Sequence, residues 1–255
     1  MAAVGIGSTV YAMIRREPIE ITSCLGFFSL MEMLQAVTYL YVDQCGTPMN
    51  QVLTMLGYIH ISMQPFFINT ISMFFIPAHV RKRIAPTVYT ICFASTVIML
   101  LMIYPFDGVP LCNRMDSAMC GATMCSYMGS FHIAWDFPMN TLFTIGNGAQ
   151  IYELAYLLNW WMYLIPAFVL PVLYGSWKCT LYHLFFGPLL ATAITGNFHE
   201  MPAVWCLLSI GLLLIVVKTP VRDLLFVDRW FWWERRPDEP HYGVRRRGPA
   251  GIPAE

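Results

Sequence analysis

The stretch ITSCLGFFSLMEMLQAVTYLYVDQCGTPMN, Ile21 to Asn50, decides how the rest of the chain is read. Its first part, to about Val42, carries one charged side chain, Glu32, and meets the roughly 20 residues that a helix needs to cross a hydrocarbon core. Its end, Asp43-Gln-Cys-Gly-Thr-Pro-Met-Asn50, is a turn-forming run, so the chain returns directly as an antiparallel neighbour. That neighbour is Gln51 to Pro77, followed by the basic cluster Arg81-Lys82-Arg83 and a third span from Pro86 to Pro105.

Composition agrees with this reading. Of 255 residues, 57% are hydrophobic and 12% charged, against roughly 25% charged in an ordinary soluble domain. Fifteen Lys and Arg balance fifteen Asp and Glu, and the mean hydropathy is +0.56. That excludes a basic nucleic-acid-binding module and a disordered chain. The expected partners are the lipid bilayer and other membrane proteins or further copies of this chain, with no nucleic acid.

Residues 106–150 change character, with Gly, Pro, Asn, Asp and three cysteines, and read as a long loop. Further spans follow at 151–175, 181–196 and 201–217. Residues 218–236 mix large aromatics with charges, which suits an interfacial helix, and 237–255 read as a flexible basic tail. Residues 1–20 lack a long apolar region and a cleavage site, so they are expected to be a cytoplasmic segment and not a cleaved signal peptide. The fold expected is an all-α integral membrane bundle of six transmembrane helices, with an outer Cys-containing loop and both termini cytoplasmic. In that orientation Arg114 is the one basic residue outside, out of 15. A seventh span through Gly129 to Gly148 would export Lys178, Lys218 and the arginine-rich tail, whereas a re-entrant or interfacial segment there would not.

The topology sorts the eight cysteines. Cys45, Cys112, Cys120 and Cys125 fall in outer loops, and Cys24, Cys92, Cys179 and Cys206 in or beside helices. Four thiols in an oxidising compartment are expected to form two disulfides, with three connectivities open. The alternative is a zinc site from Cys112, Cys120, Cys125 and His132, whose spacing matches no standard finger.

Ionisable groups inside a membrane usually face a partner or a wet cavity. Glu32 lies 11 residues into the first span, roughly 16 Å at the helical rise, and His60 and Gln64 reach a similar depth from the other direction. Glu32, Gln35, Tyr39 and Asp43 share one helix face. Pro65 withdraws one hydrogen bond from the second helix and frees the Ile61 carbonyl. Glu32, Gln35, His60 and Gln64 are therefore the candidate midplane polar site, with a contact expected between Glu32 and His60 or Gln64; a polar clamp between two helices is the alternative. A second, outer cluster gathers His132, Asp136, Glu153, His199 and Glu200, with Asn159 and Asn197 nearby. These are side chains of metal sites and acid–base pairs, and equally of solvated caps. The chain has no HxxxH or HExxH, no Walker loop, no GxGxxG and no GxSxG.

Three stretches carry a resemblance: Leu30-Met-Glu-Met-Leu-Gln35 with Cys45 and Asn50; Gly57 to Asn69; and His199 to Ile210. Together with Cys125 to Trp135 they resemble an uncharacterised family of polytopic membrane proteins over about Ile21 to Val217, which implies a fold and no reaction. Gly129-Ser130-Phe131-His132 and Asp136-Phe137-Pro138-Met139 are also similar to motifs of the alkaline ceramidase type of seven-helix zinc hydrolase. That family needs a late HxxxH pair, of which only His199 is present, and its span count differs. The functional expectation is a small transporter or channel-like protein with a polar midplane cavity opening outward. The alternatives are a membrane enzyme using a metal or an acid–base pair on a lipid or other apolar substrate, and an accessory or assembly subunit.

Overall fold

The computed structural model describes residues 1–103, 119–140 and 160–239. Cys112, Arg114, Glu153, Asn159, the start of the fourth expected span and the tail from 240 onward lie outside the described residues.

The chain begins with α1 (Ala2–Ile14), where the sequence reading expected only a cytoplasmic segment. Small residues explain how it packs. A Cβ at Gly5 would stand 2.6 Å from Ser29 Oγ and 2.8 Å from Ile210 Cδ1, so glycine lets α1 lie close against its neighbours. Pro18 caps α2 (Ile19–Thr38), whose stop is set by the positive-φ residues Asp43 and Gly46 in the following turn. In α3 (Pro48–Phe74) Thr47 is the N-cap, its hydroxyl accepting from Asn50 N at 3.4 Å, and Pro48 opens the first turn.

Pro77 caps α4 (Ala78–Met102), which starts earlier than the expected Pro86. Pro86 sits inside it, and the basic cluster occupies its first turns, where Arg81 Nη1 reaches Glu20 Oε1 at 2.5 Å. An antiparallel hairpin follows, β1 (Cys125–Met128) and β2 (Ile133–Asp136), with Cys125 opposite Asp136 and Met128 opposite Ile133. Residues 129–136 are thus a hairpin turn and strand, not a re-entrant helix.

Two interrupted helices come next. α5 (Trp161–Leu173) contains a π-helical turn at Ile165–Val169, and α6 (residues 177–194) contains another at Phe185–Leu189. Each widened turn holds a proline, Pro166 or Pro188, whose missing N–H suits a break in the regular ladder. α7 (Met201–Lys218) is apolar around its circumference and buries residues from Pro202 to Val216.

The helix expected over 218–236 is instead α8 (Val221–Leu225) and a two-residue hairpin, β3 (Arg229–Trp230) with β4 (Trp233–Glu234). Indole donors decide this. Trp230 Nε1 donates to Leu173 O at 3.2 Å and Trp233 Nε1 to Tyr174 O at 2.9 Å, which ties the aromatics to the α5–α6 turn. Gly175 at φ +105° makes room, since a Cβ there would fall 2.5 Å from Trp233 Cζ2.

Among the described residues α2, α4 and α7 are long and apolar enough to cross a membrane. Large apolar side chains are exposed around the helices, among them Ile14, Leu30, Leu40, Phe93, Leu173, Phe185 and Phe186. The interior is one large cluster through α1, α2, α3, α5 and α7, and a smaller one around Met73, Val88, Tyr174 and Trp233.

Candidate functional site

The four candidate midplane residues separate into two groups. Gln64 belongs to a hydrogen-bonded set: its Oε1 accepts from Tyr163 OH at 2.6 Å and its Nε2 meets Cys206 Sγ at 3.2 Å. His60 turns to α2, where Nε2 donates to Phe27 O at 2.9 Å and the ring stacks on Phe27 at 3.9 Å between centroids. Glu32 and Gln35 are buried one turn apart, at 4% and 2% exposure. No hydrogen bond joins Glu32 to His60 or Gln64 among the described residues; Glu32 Oε1, both Gln35 amide atoms and His60 Nδ1 are buried without a partner. The expected contact is therefore not made as a hydrogen bond. Phe27 O and the Tyr163–Cys206 pair, both invisible in a pattern of polar residues, take the places that Glu32 was expected to fill.

Asn69 performs a task the sequence left open. Its amide donates to Pro65 O and Pro166 O, each at 2.8 Å, and its Oδ1 accepts from Tyr174 OH at 3.0 Å. One amide therefore serves carbonyls beside two helix interruptions.

One sizeable cavity is apolar. It encloses about 500 Å³ between α3, α5, α6 and α7, within the range of small-molecule sites. Trp160, Phe168, Leu184, Leu189, Phe198 and Trp205 are among its walls, residues of both π-helical turns flank it, and Gln64, Tyr163 and Cys206 supply its polar edge. Of the expected midplane set only Gln64 lines it.

The outer cluster is used mainly as structure. Glu200, fully buried, accepts from the backbone N–H groups of Phe131 and His132 through Oε1, with Ser130 N–H adding a third donor. Its Oε2 accepts from Thr195 Oγ1 at 2.7 Å. A Cβ at Gly129 would stand 2.6 Å from the Glu200 carboxyl carbon, so glycine there lets the carboxylate enter the turn. Burial pushes the Glu200 carboxyl up, but the Thr195 hydroxyl and the N–H donors outweigh it and hold it below its ordinary value. His132 Nδ1 accepts from Ile133 N at 2.8 Å, and burial pushes this imidazole down against the pull of Glu200.

Asp136 Oδ1 and His199 Nδ1 pair at 2.7 Å, both part-exposed, while Trp135 N donates to His199 O at 3.0 Å. Tyr127 OH lies 3.5 Å from Asp136 and is pushed up to about 12 by burial and that carboxylate. Phe198 and Met201, on either side of His199 in the chain, line the cavity.

Asp43 and Asn50 stitch the hairpin to the α2–α3 turn. Asp43 Oδ1 accepts from Met128 N at 2.8 Å, and the Asn50 amide pairs with Ser126 like a strand neighbour, accepting its N–H at 3.1 Å and donating to its carbonyl at 2.7 Å. Cys45 and Cys125 are disulfide-bonded, across 80 residues. Cys120 is disulfide-bonded as well, and Cys24, Cys92, Cys179 and Cys206 are free and buried. The zinc alternative is thereby corrected, because a disulfide sulfur is no thiolate ligand. Among the described residues no three His, Cys, Asp or Glu side chains gather as a metal site.

The chain belongs to a family of unknown function, DUF5765, whose model matches residues 1–226. No curated protein and no solved structure matches it.

Proposed function

We propose that this member of DUF5765 is a six-span integral membrane protein that binds an apolar or amphipathic, lipid-like molecule between α3, α5, α6 and α7. One observation carries the reading: the cavity of about 500 Å³ has aromatic and aliphatic walls and a single polar edge at Gln64, Tyr163 and Cys206. A hydrocarbon chain suits such walls better than an ion or polar solute, whose dehydration they would not offset. The six spans are α2 to α7, the fourth beginning outside the described residues. The exposed apolar belt supports them, as do the described residues of the hairpin end, which carry no Lys or Arg and lie opposite the basic turns.

The test uses Trp160 and Trp205, which line the cavity. Brominated fatty acids are expected to quench purified protein saturably, and Thr192→Trp, which fills the cavity, is expected to abolish displacement of that quencher by unbrominated fatty acid. Non-saturable quenching identical in both proteins would overturn the reading. For topology, an impermeant thiol reagent on intact vesicles should label Thr123→Cys and Arg83→Cys from opposite faces. Labelling from one face defeats the six-span arrangement.

A second reading rests on the part-exposed Asp136–His199 pair, next in the chain to the cavity-lining Phe198: an acid–base pair acting on the polar end of the bound molecule. It requires turnover of a lipid ester or amide that His199→Gln removes while fatty-acid quenching persists.

A further inference from the structure

We infer that the ligand of the cavity is an uncharged long-chain lipid whose polar group is a single hydroxyl, held against Gln64 and Tyr163. This rests on the reading of the cavity as a lipid-like site and names the class of molecule it takes. Among the described residues no Asp, Glu, Lys, Arg or His lines the cavity. A carboxylate, phosphate or ammonium group would therefore enter without a counter-charge, and burying an ionised group alone is prohibitively costly.

Several polar side chains of the wall are already committed. Trp205 Nε1 donates to His183 Nε2 at 3.1 Å, and Thr192 Oγ1 donates to Pro188 O at 2.8 Å. At the polar edge Tyr163 gives its one hydroxyl hydrogen to Gln64 Oε1, and Gln64 gives one amide hydrogen to Cys206 Sγ. What remains is the second amide hydrogen of Gln64 and lone pairs on the Tyr163 and Gln64 oxygens. A hydroxyl accepts from the first and donates to the second. An ether or ester oxygen only accepts, so it meets half of what the edge offers. The mouth of the cavity points to the same class. Val169 and Leu189, the last residues of the two π-helical turns, line the cavity and are also about half exposed, as is Phe198. With α5 and α6 as spans, a ligand passing these apolar lips comes from the hydrocarbon, where uncharged lipids dissolve and ionised groups are expensive.

The experiment is tryptophan quenching of the full chain in detergent by a brominated long-chain alcohol, with competitors compared at equal mole fraction in the micelle. The unbrominated alcohol is expected to displace the quencher about 5-fold better than its methyl ether, the effect of one hydrogen bond. A fatty acid of the same chain length should compete at about pH 6 as the neutral acid, and on the order of tenfold more weakly at about pH 9 as the anion. The alcohol should compete equally at both. Gln64→Leu with Tyr163→Phe removes the two partners together, so alcohol and ether should then compete alike. Equal competition by alcohol, ether and carboxylate anion in the parent, or a preference for alcohol that survives the double variant, would overturn the inference and leave the lipid-like site standing. Saturable quenching by a brominated fatty acid but not by the brominated alcohol does the same, whereas non-saturable quenching by both removes the site itself. If the double variant does not fold, the ranking of alcohol, ether and anion in the parent decides alone.

Discussion

The two ends of the helix bundle differ in whether their carboxylates meet arginine. At the hairpin end, Asp43 and Glu200 accept backbone N–H groups and Asp136 meets an imidazole, with no Lys or Arg among described residues 39–50, 119–140 and 195–200. At the other end three carboxylates meet arginines, Glu20 with Arg81, Glu17 with Arg222 at 2.7 Å and Asp228 with Arg235 at 2.8 Å, while Glu239 accepts from His79 N and pairs with its ring, each at 2.9 Å. Lys178 there donates to Phe226 O at 2.8 Å, and Lys218 lies 3.5 Å over the Tyr11 ring. One end is fastened by a disulfide and buried hydrogen bonds, the other by part-exposed ion pairs. Only the second kind is open to screening by salt, so the ends should fail under different conditions.

The sharpest break is covalent. Cys45→Ser with Cys125→Ser opens a link across 80 residues, and the chain-entropy account gives about 4 kcal/mol for a loop of that order. Chemical unfolding in detergent should show this loss in the double variant and a larger one in the reduced parent, which also loses the Cys120 disulfide, with little dependence on salt. An unchanged midpoint would mean that the hydrogen bonds alone hold the hairpin.

Glu200→Ala comes next. It strands the N–H groups of Phe131 and His132, at about 3 kcal/mol by the cost of unmet buried donors, and Glu200→Gln should recover part of it. The pH dependence follows from the direction of the shift. With the folded carboxyl below its ordinary 4.5, the stabilisation is complete above that value and disappears as pH falls through the lower, folded one. Stability that rises in the same acid range would reverse this assignment.

At the basic end Arg222→Met leaves Glu17 mostly buried without its guanidinium. The expected loss is about 1 to 2 kcal/mol, less than for a deeply buried pair because Arg222 is part-exposed. High salt should shrink the difference between variant and parent. The smallest effect belongs to Arg235→Ala, whose partner Asp228 is about half exposed: within ~0.5 kcal/mol, as for most surface pairs. A larger loss there than for Glu200→Ala would undo the contrast between the ends.

Much of the helical layout was legible because apolar run length and turn chemistry are local properties. Asp43 to Asn50 reads as a turn, and Asp43 to Thr47 is one, while Pro48 to Asn50 already open the helix expected from Gln51. Among the described cysteines, Cys45, Cys120 and Cys125 are bonded and Cys24, Cys92, Cys179 and Cys206 free and buried, the division expected between loop and helix positions. Other features depend on contacts at long range. The hairpin Cys125–Asp136 exists because Asn50, Asp43 and Glu200, all distant in sequence, satisfy its backbone. The aromatic segment after Lys218 has helical residues, but Trp230 and Trp233 find carbonyl acceptors on α5 and in the turn after it, and fold it as a hairpin.

The candidate site divides the same way. Polar residues at helical spacing marked Glu32, Gln35, His60 and Gln64 as costly and therefore worth explaining. Spacing could not say that Gln64 would be taken by Tyr163 and Cys206, or that His60 would reach a backbone carbonyl. The cavity left no sequence signal, since its walls are the Leu, Phe and Trp found throughout the chain.

By itself the sequence determined that this chain is helical, apolar and charge-segregated, because hydrophobic period, prolines and basic clusters act over one or two turns. The tertiary structure alone decided which carboxylates pair with backbone, imidazole or guanidinium, and where the apolar helices leave space between them. Those outcomes depend on helix registers and approach distances, such as those set by Gly5, Gly129 and Gly175, and these arise only when segments far apart in the chain compete for the same few ångströms.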